Sequence, residues 1–235
     1  MSKKIVLITG ATRGIGASIA KKFINNNFYV IGTGTKKNIN LDWVDEYWKC
    51  NFEDNKDIII CSKKINKIKP DILINNAGIN IVEPFLKITN KNLLKILNVN
   101  LIAPFNLMQN AIPSMKKKKW GRIVNINSIW GKISKEHRAS YSSSKFALDG
   151  LSLSAAIEFS KNGILINSVS PGFINTELTK KTNSKEQLRI IKNNIPINRL
   201  GNPEEISELV YFLASNKNTY ISGQNITSDG GFSRA

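Results

Sequence analysis

Short apolar runs alternate with longer amphipathic segments along the whole of this 235-residue chain. Apolar runs of about four to eight residues, bounded by Gly, Pro or Asn, predict buried strands, whereas apolar residues at helical spacing predict helices. The predicted strands are 4–9, 28–33, 46–52, 71–76, 121–128, 164–171 and 225–231, and 46–52 is the weakest of them. The predicted helices are 15–26, 54–68, 90–115, 140–161 and 203–215. Apolar strands that alternate with helices predict an α/β fold, a doubly wound parallel sheet of Rossmann-like type with helices on both faces.

No repeat, low-complexity linker or shift in composition divides the chain. A chain of this length can bury a substantial core as one domain. We therefore expect a single domain over residues 1–235, with a cofactor-binding half of about 1–120 and a catalytic and substrate half of about 121–235.

The cysteine and histidine counts argue against disulfide and metal chemistry. Cys50 and Cys61 are the two cysteines and His137 is the single histidine, so we expect reduced thiols and no metal site. No apolar run approaches the roughly 18 residues of a membrane span. The first apolar run ends at Thr9-Gly10, which predicts a first strand and not a secretion signal, and a cytoplasmic location is expected.

The formal net charge of +17 has two interpretations. It favours an anionic partner, such as nucleic acid, a membrane surface or an acidic carrier protein. It also follows from a composition crowded with Ile, Asn and Lys, which rise together in genomes rich in A and T. The densest basic run is MKKKKWGR at 115–122, but no nucleic-acid-binding motif accompanies it, so we expect no nucleic-acid partner.

A glycine-rich turn joins the first predicted strand to the first predicted helix. Its sequence is TGATRGIG at 9–16, with glycines at Gly10, Gly14 and Gly16. Glycine allows a tight turn and close approach of the backbone to a pyrophosphate. The helix N-terminus that follows supplies free N–H groups and partial positive charge. The turn therefore predicts a dinucleotide phosphate site.

The end of the second predicted strand bears on the choice of cofactor. NAD-selective sites place an acid there for the ribose 2′-hydroxyl, but the sequence is GTGTKK at 32–37. Lys36 and Lys37, together with Arg13 in the glycine turn, would attract a 2′-phosphate, which predicts NADP(H). The alternative is that both lysines belong to the general excess of lysine.

Tyr141 and Lys145 lie one helical turn apart, and Ser128 ends a predicted strand. A tyrosine titrates near pH 10, and a nearby ammonium is expected to lower its pKa towards that of a useful proton donor. Ser128 can donate a hydrogen bond to a substrate oxygen. Asn100 lies within a predicted helix and could hold a water that links Lys145 to solvent, if that helix is locally distorted.

These residues and motifs together resemble the short-chain dehydrogenase/reductase family over nearly the whole chain. The resemblance rests on the glycine turn, NNAG at 75–78, NVN at 98–100, SPGFINT at 170–176, RLGNPEEI at 199–206 and YISGQNITSDGG at 220–231. Four residues match the catalytic tetrad of the family: Asn100, Ser128, Tyr141 and Lys145. The nearest subgroup is the 3-oxoacyl-[acyl-carrier-protein] reductase type.

The resemblance also implies contacts with NADP(H). The phosphates would meet the turn, the adenosine would lie beyond it, and the nicotinamide would lie beside the tetrad. The implied cofactor-binding residues are Gly10, Arg13, Gly14, Ile15, Gly16, Thr35, Asn51, Phe52, Asn76, Ala77, Gly78, Tyr141, Lys145, Ile174 and Thr176. Asn51-Phe52 stands where many relatives have an acid followed by a smaller aliphatic residue.

Three functions remain open. The first is reduction of an acyl chain on an acidic carrier protein, with Lys116–Lys119 and Lys161 as a docking surface. The second is reduction or oxidation of another carbonyl or alcohol, such as a sugar or polysaccharide precursor. The third is a non-catalytic NADP(H)-binding or nucleic-acid-binding protein, against which the complete tetrad argues.

The resemblance implies a homo-oligomer, a tetramer or dimer built on the helices 90–115 and 140–161. The polar segment 175–200 is similar to the mobile lid of the family. The side chains nearest the tetrad in sequence are Ile129, Trp130, His137 and Phe173. Ile129, Trp130 and Phe173 are either pocket wall or core, and His137 is either pocket wall or a surface residue in a loop.

Overall fold

Seven parallel strands form one sheet in the order β3-β2-β1-β4-β5-β6-β7. The structure is a computed structural model that describes residues 3–37 and 39–235, apart from the side chains of residues 178, 181 and 182. The strands are β1 Ile5–Ile8, β2 Tyr29–Gly34, β3 Glu46–Lys49, β4 Ile72–Asn75, β5 Gly121–Ile126, β6 Ile164–Pro171 and β7 Asn225–Ser228. All seven predicted strands are present, and the weakest of them pairs in parallel with β2 at the sheet edge. The predicted α/β fold is confirmed.

Helices cover both faces of the sheet, as predicted. The α-helices are α1 Gly14–Ile24, α2 Asn55–Ile68, α3 Asn90–Leu97, α4 Ala103–Lys118, α5 Ala139–Phe159, α6 Glu177–Thr182, α7 Lys185–Asn193 and α8 Pro203–Ala214. The predicted helix 90–115 is not continuous, because a π-helical turn at Asn98–Ile102 separates α3 from α4. The helix is therefore locally distorted around Asn100, which is the condition under which the sequence would allow Asn100 to hold a water.

Side chains of successive strand residues pack into two separate hydrophobic cores, one on each face of the sheet. Leu73 of β4 packs in the core under α2, α4 and α5, whereas Ile72 and Ile74 pack in the core under α1 and α8. All three are fully buried. A strand that is buried on both faces has no polar face, which explains the continuous apolar runs in the sequence.

The strand order reverses between β1 and β4. The chain first adds β2 and β3 on one side of β1 and then adds β4 to β7 on the other. In open parallel sheets, such a switch point leaves a crevice at the carboxyl ends of the strands. The predicted glycine turn follows β1, and NNAG begins at the last residue of β4. Both motifs therefore lie at this crevice.

The two predicted halves of the chain stay a prediction. Strands from both halves share the single sheet, and β4 of the first half pairs directly with β5 of the second.

Among the residues that the structure describes, no helix is long and apolar enough to cross a membrane.

Candidate active site

The glycine turn closes tightly over the carboxyl end of β1. Gly10 and Gly14 have φ values of +67° and +55°, in the left-handed region that favours glycine. Gly16 is constrained by space instead, because a Cβ there would lie 2.1 Å from the Gly10 carbonyl oxygen and 2.4 Å from Asn76 Nδ2. The turn leads directly into α1, whose first residues Gly14, Ile15 and Gly16 line the crevice, as a phosphate site at a helix N-terminus requires.

Asn76 fixes this turn from the neighbouring strand. Its Nδ2 donates to the carbonyl oxygens of Thr9 and Gly10, at 2.9 and 3.1 Å. The Thr9 hydroxyl in turn accepts from the backbone N–H groups of Asn76 and Ala77, both at 2.9 Å. The NNAG segment therefore positions the glycine turn as well as lining the crevice.

The crevice is a cleft with a volume of about 440 Å³. Every residue that the sequence predicted to bind the cofactor lines it, from Gly10 in the turn to Thr176 beyond β6. The lining also includes Ser128, Tyr141 and Lys145. The structure thus brings the predicted phosphate site and the predicted proton-transfer residues into one cavity.

Lys145 lies on α5, buried at 3% exposure. Its Nζ donates to the Ile126 carbonyl oxygen at 2.8 Å and lies 5.7 Å from the centroid of the Tyr141 ring. Burial lowers the pKa of Lys145 from 10.5 to about 8. At neutral pH the side chain is therefore still largely charged, but its ammonium group has been taken out of water at a cost.

The pKa of Tyr141 is shifted in the direction opposite to the prediction. Burial of the phenol raises this pKa above 10.0, and the Ser128 side chain and the Arg138 guanidinium only partly oppose the rise. The predicted lowering by Lys145 is wrong for this structure, because burial of the phenol dominates. Tyr141 is consequently held in its protonated form at neutral pH.

Ser128 follows β5, on the cleft side of the sheet edge. Its hydroxyl caps the short 3-10 helix Ile129–Gly131 by accepting from Trp130 N–H at 3.2 Å. A serine hydroxyl has one proton to donate and two lone pairs, so this contact leaves the proton for an oxygen in the cleft. In this structure that oxygen is the phenol oxygen of Tyr141, whose pKa the Ser128 side chain lowers by hydrogen bonding.

Asn100 does not line the cleft, although the sequence groups it with the tetrad. It is fully buried in the π turn behind the other three residues. Its Oδ1 accepts from Ile79 N–H at 2.9 Å, and its Nδ2 donates to the Ile79 carbonyl oxygen at 2.9 Å and to Ser144 Oγ at 3.0 Å. Asn100 therefore joins the 78–79 segment to α5, the helix that carries Tyr141 and Lys145.

At the other end of the cleft, the two lysines predicted to attract a 2′-phosphate, Lys36 and Lys37, do not line the cavity. Lys36 and Lys37 are exposed beyond the end of β2, whereas Arg13 and Thr35 line the cavity. Arg13 is exposed at the N-cap of α1. Of the three basic residues predicted to meet a 2′-phosphate, only Arg13 is therefore in the cleft.

Aromatic side chains form the wall of the cleft beyond the tetrad. Trp130 and Phe173 line it, and both pack edge-to-face against Phe232, with centroids 6.3 and 5.2 Å away. Ile129 is core. His137 is exposed with a φ of 63° and does not line the cleft, so it is a surface residue.

Sequence reasoning missed Arg138, the residue after His137. It lines the cleft, is partly buried, and lies with its guanidinium carbon 6.0 Å from the centroid of the Trp130 ring. Its position just before the helix that carries Tyr141 was the available signal, because the N-cap residue of a helix lies next to its first turn.

Cys50 and Cys61 are free thiols, and both are buried. Their mutual contact and burial raise the pKa of the Cys50 thiol. Within the described ranges, no group of three or more His, Cys, Asp or Glu side chains could hold a metal ion.

Comparison with known proteins adds the family. A family model described as enoyl-(acyl carrier protein) reductase matches residues 10–233. The 3-oxoacyl-[acyl-carrier-protein] reductase FabG of Buchnera aphidicola subsp. Schizaphis graminum (strain Sg) is 38% identical over 240 residues, with 98% of each chain covered. The chain belongs to the short-chain dehydrogenase/reductase family. It is an NAD(P)-dependent oxidoreductase, as its sequence resemblance implied.

Solved short-chain dehydrogenase/reductase structures have the same fold. One is a 4-hydroxyisoleucine dehydrogenase complexed with NADH, with a TM-score of 0.91, 35% identity and 98% of each chain covered. Another is ElxO with NADP bound, with a TM-score of 0.88, 31% identity, and 98% of this chain and 99% of that chain covered. Both cofactors of the nicotinamide type thus occur among these structural relatives.

Proposed function

We propose that the protein reduces a 3-oxoacyl thioester on an acyl carrier protein, with NADP(H) as hydride donor. The observation that carries the chemistry is the single cleft that holds the glycine turn at one end and Ser128, Tyr141 and Lys145 at the other. The acyl substrate is supported by the curated relative, which matches over the full length and is a 3-oxoacyl-[acyl-carrier-protein] reductase.

The chain fits a dinucleotide on structural grounds. The left-handed turn at Gly10 and Gly14 leads into the N-terminus of α1, where free N–H groups would hold the phosphates. Gly14 faces Thr176 across the cleft, and a Cβ there would come within 3.4 Å of the Thr176 methyl group. NADP(H), when bound, supplies the hydride, and the protein supplies position and proton transfer.

The proton in the reduction comes from Tyr141. Its raised pKa keeps the phenol protonated at neutral pH, so a proton is available when negative charge develops on the substrate oxygen. The Ser128 hydroxyl donates a hydrogen bond to the same oxygen. Lys145 provides positive charge close to the phenol ring as the proton leaves. Asn100 hydrogen-bonds the backbone of Ile79 and the Ser144 hydroxyl of α5, the helix that carries Tyr141 and Lys145.

The preference for NADP(H) over NAD(H) rests on two features. No acidic residue stands at Gly34-Thr35, where an acid would bind the 2′-hydroxyl and repel a 2′-phosphate. Arg13 lines the cleft near this end, at the start of α1. Its guanidinium is suited to bind a phosphate through two parallel hydrogen bonds.

The predicted carrier-docking lysines lie far from Tyr141 within one subunit. Lys116–Lys119 precede β5 and Lys161 precedes β6, so they lie at the amino edge of the sheet. Tyr141 lies at the carboxyl edge, and β5 and β6 span roughly 20–26 Å at about 3.3 Å per residue. Docking of a carrier at these lysines stays a prediction.

A homo-oligomer is supported by exposed apolar side chains on α4 and α5. Phe105, Phe146, Leu153 and Ile157 are 43%, 48%, 49% and 74% exposed. Large apolar side chains grouped on helices favour a protein interface. The number of subunits and the cytoplasmic location stay predictions.

Two other substrates are specific competitors. The family model is described as an enoyl reductase, so reduction of a carbon–carbon double bond in an acyl thioester is the second candidate. The solved relative that acts on 4-hydroxyisoleucine favours a secondary alcohol as the third.

NADPH oxidation with three substrates separates these functions. The substrates are acetoacetyl and crotonyl thioesters of acyl carrier protein, and a 4-oxo amino acid. We expect turnover with the acetoacetyl carrier at least about tenfold above the other two, and a rise in KM with added salt, because carrier docking would be electrostatic. Preference for the crotonyl carrier or for the amino acid would contradict the proposal.

A further inference from the structure

Within the part of the chain that the structure describes, Arg138 is a cation in the cleft without a counter-ion. It is partly buried and lines the cavity. Across the described residues, the ion pairs are those of Lys22, Lys49, Lys95, Lys118, Arg189 and Arg199, and none of them involves Arg138. Among the described residues, the guanidinium of Arg138 interacts with the Trp130 ring and, through charge, with Tyr141.

Such an arrangement is costly unless a ligand uses it. Burial lowers the pKa of Arg138, which means that the cation has lost part of its hydration. A buried or half-buried charge normally has an opposite charge or several acceptors around it. The Trp130 ring contributes little stabilisation to the guanidinium, because the distance of 6.0 Å is at the outer limit of a cation–π contact.

Trp130, which lies beside the arginine, is itself packed against other rings. The ring lies edge-to-face against Phe173 and Phe232, at 6.1 and 6.3 Å between centroids, and is 9% exposed. The arginine therefore lies beside a packed aromatic wall. Its backbone carbonyl accepts from Ser142 N–H at 2.7 Å, in the first turn of α5.

The position of Arg138 limits which atoms of a substrate it can reach. It is the N-cap of α5, three residues before Tyr141, and its guanidinium lies close enough to the phenol to lower the pKa of Tyr141 through its charge. A group that binds Arg138 while the carbonyl meets Tyr141 must lie only a few bonds from that carbonyl. A phosphate at the far end of a carrier arm is too distant.

We propose that Arg138 is a substrate-binding residue that selects ketones with a carboxyl-derived oxygen a few bonds from the reacting carbonyl. This inference rests on the proposed function of the cleft and adds a determinant of its specificity. The oxygen is either the carbonyl oxygen of a thioester or an oxygen of a free carboxylate. Both accept hydrogen bonds from a guanidinium, which has five N–H donors and no acceptor.

The test compares three ketones in wild type, Arg138→Gln and Arg138→Lys. Acetoacetyl-N-acetylcysteamine carries the thioester, acetoacetate carries the carboxylate, and 2-pentanone carries neither. We expect Arg138→Gln to lower kcat/KM for the thioester or the carboxylate by about ten- to hundredfold, and for 2-pentanone by less than about threefold. The substrate with the larger loss identifies which source of the oxygen the enzyme uses. Arg138→Lys should recover only part of the loss, because it keeps the charge without the planar fork.

The control is Lys135→Gln, which removes an exposed charge that does not line the cleft. It should leave all three substrates unchanged. An equal loss for all three ketones in Arg138→Gln, or no loss, would overturn the inference, since an arginine that acts only through Tyr141 affects every ketone alike.

A binding measurement covers the case in which wild type turns over none of the ketones. Acetoacetate and the thioester are each added to the complex with NADP⁺, and the Tm is recorded. We expect at least one of them to raise the Tm of wild type and neither to raise that of Arg138→Gln. If neither raises the Tm of wild type, or if both proteins respond equally, the inference is overturned. Turnover of acetoacetate without turnover of carrier-bound substrate would support Arg138 and contradict the carrier proposal, so the two failures are distinguishable.

Discussion

Asn100 satisfies both backbone groups of Ile79, with its Oδ1 accepting from the N–H and its Nδ2 donating to the carbonyl oxygen, each at 2.9 Å. An asparagine side chain can pair with a peptide group in this way because it presents the same donor and acceptor as a backbone amide. The π turn at Asn98–Ile102 brings this side chain inward from a helix that would otherwise continue. The relationship ties the cleft wall at Gly78–Ile79 to the helices around it.

Replacement of Asn100 by alanine should destabilise the protein. It would leave the partly buried N–H and carbonyl oxygen of Ile79 without partners, and a polar group left unsatisfied costs up to about 1–3 kcal/mol. We expect a loss of about 2–4 kcal/mol in the free energy of unfolding, measured by urea denaturation. Asn106→Ala is the matched control, because Asn106 also bonds a backbone carbonyl but at an exposed position, and it should change stability by less than about 1 kcal/mol. Equal effects would contradict the role assigned to Asn100.

Gly16→Ala should abolish cofactor binding. A methyl group there would lie 2.1 Å from the Gly10 carbonyl oxygen, so the turn must open. We expect the Kd for NADPH, measured by fluorescence, to rise at least about a hundredfold. Gly150→Ala is the control, because a Cβ there meets nothing within 4 Å, and it should stabilise α5 by about 0.5–1 kcal/mol with unchanged binding. NADPH binding by Gly16→Ala at wild-type affinity would show that the turn does not hold the phosphates.

Lys145→Met should stabilise the protein while it removes activity. The pKa of Lys145 is about 8 when folded and 10.5 ordinarily, a difference that corresponds to about 3 kcal/mol of destabilisation at neutral pH. Thermal unfolding at pH 7 should therefore give a higher Tm for the variant, by an amount equivalent to at most about 3 kcal/mol.

The pH dependence of this gain has a defined sign. Because the folded protein loses the Lys145 proton at lower pH than the unfolded chain, the unfolded state binds more protons between about pH 8 and 10.5. Wild-type stability should rise with pH across that window relative to Lys145→Met, and the advantage of the variant should shrink. A difference in stability that stays constant from pH 7 to pH 10.5 would contradict the lowered pKa.

Arg13→Ala should weaken selection for NADPH. Arg13 lines the cleft, whereas Lys36 and Lys37 do not, so one guanidinium carries the attraction to a 2′-phosphate. We expect KM for NADPH to rise about tenfold or more, with KM for NADH within about threefold of wild type. The double variant Lys36→Ala/Lys37→Ala is the control and should change both values little. A large rise in KM for NADPH in the double lysine variant, with little change in Arg13→Ala, would show that the lysines and not Arg13 select NADPH.

The fold and the gross layout of the site were predictable because they depend on local patterns. Apolar runs such as ILIN at Ile72–Asn75 fit only a strand buried on both faces, and the glycine turn must follow the first of them. The weak strand at Glu46–Lys49 pairs at the sheet edge, where only Trp48 is buried, so its apolar signal is incomplete.

Features that depend on distant contacts were not predictable. Asn100 in the π turn forms hydrogen bonds with Ile79, which is 21 residues away in the sequence. The raised pKa of Tyr141 follows from its three-dimensional enclosure, which the spacing to Lys145 does not reveal. The sequence left open whether His137 lines the pocket or lies at the surface, and it did not indicate Arg138. The left-handed φ of 63° at His137 and the exposure of its side chain are features of the folded chain.

The central claim is that Tyr141 delivers the proton in an NADPH-dependent ketone reduction. The most direct test is NADPH oxidation with acetoacetyl-acyl carrier protein by wild type, Tyr141→Phe and Tyr220→Phe, with the Kd for NADPH measured in parallel. Tyr220 is the control because it is 94% exposed and lies outside the cleft. We predict that Tyr141→Phe binds NADPH normally and loses turnover by at least about a thousandfold, whereas Tyr220→Phe keeps both. Turnover by Tyr141→Phe within about tenfold of wild type would contradict the account.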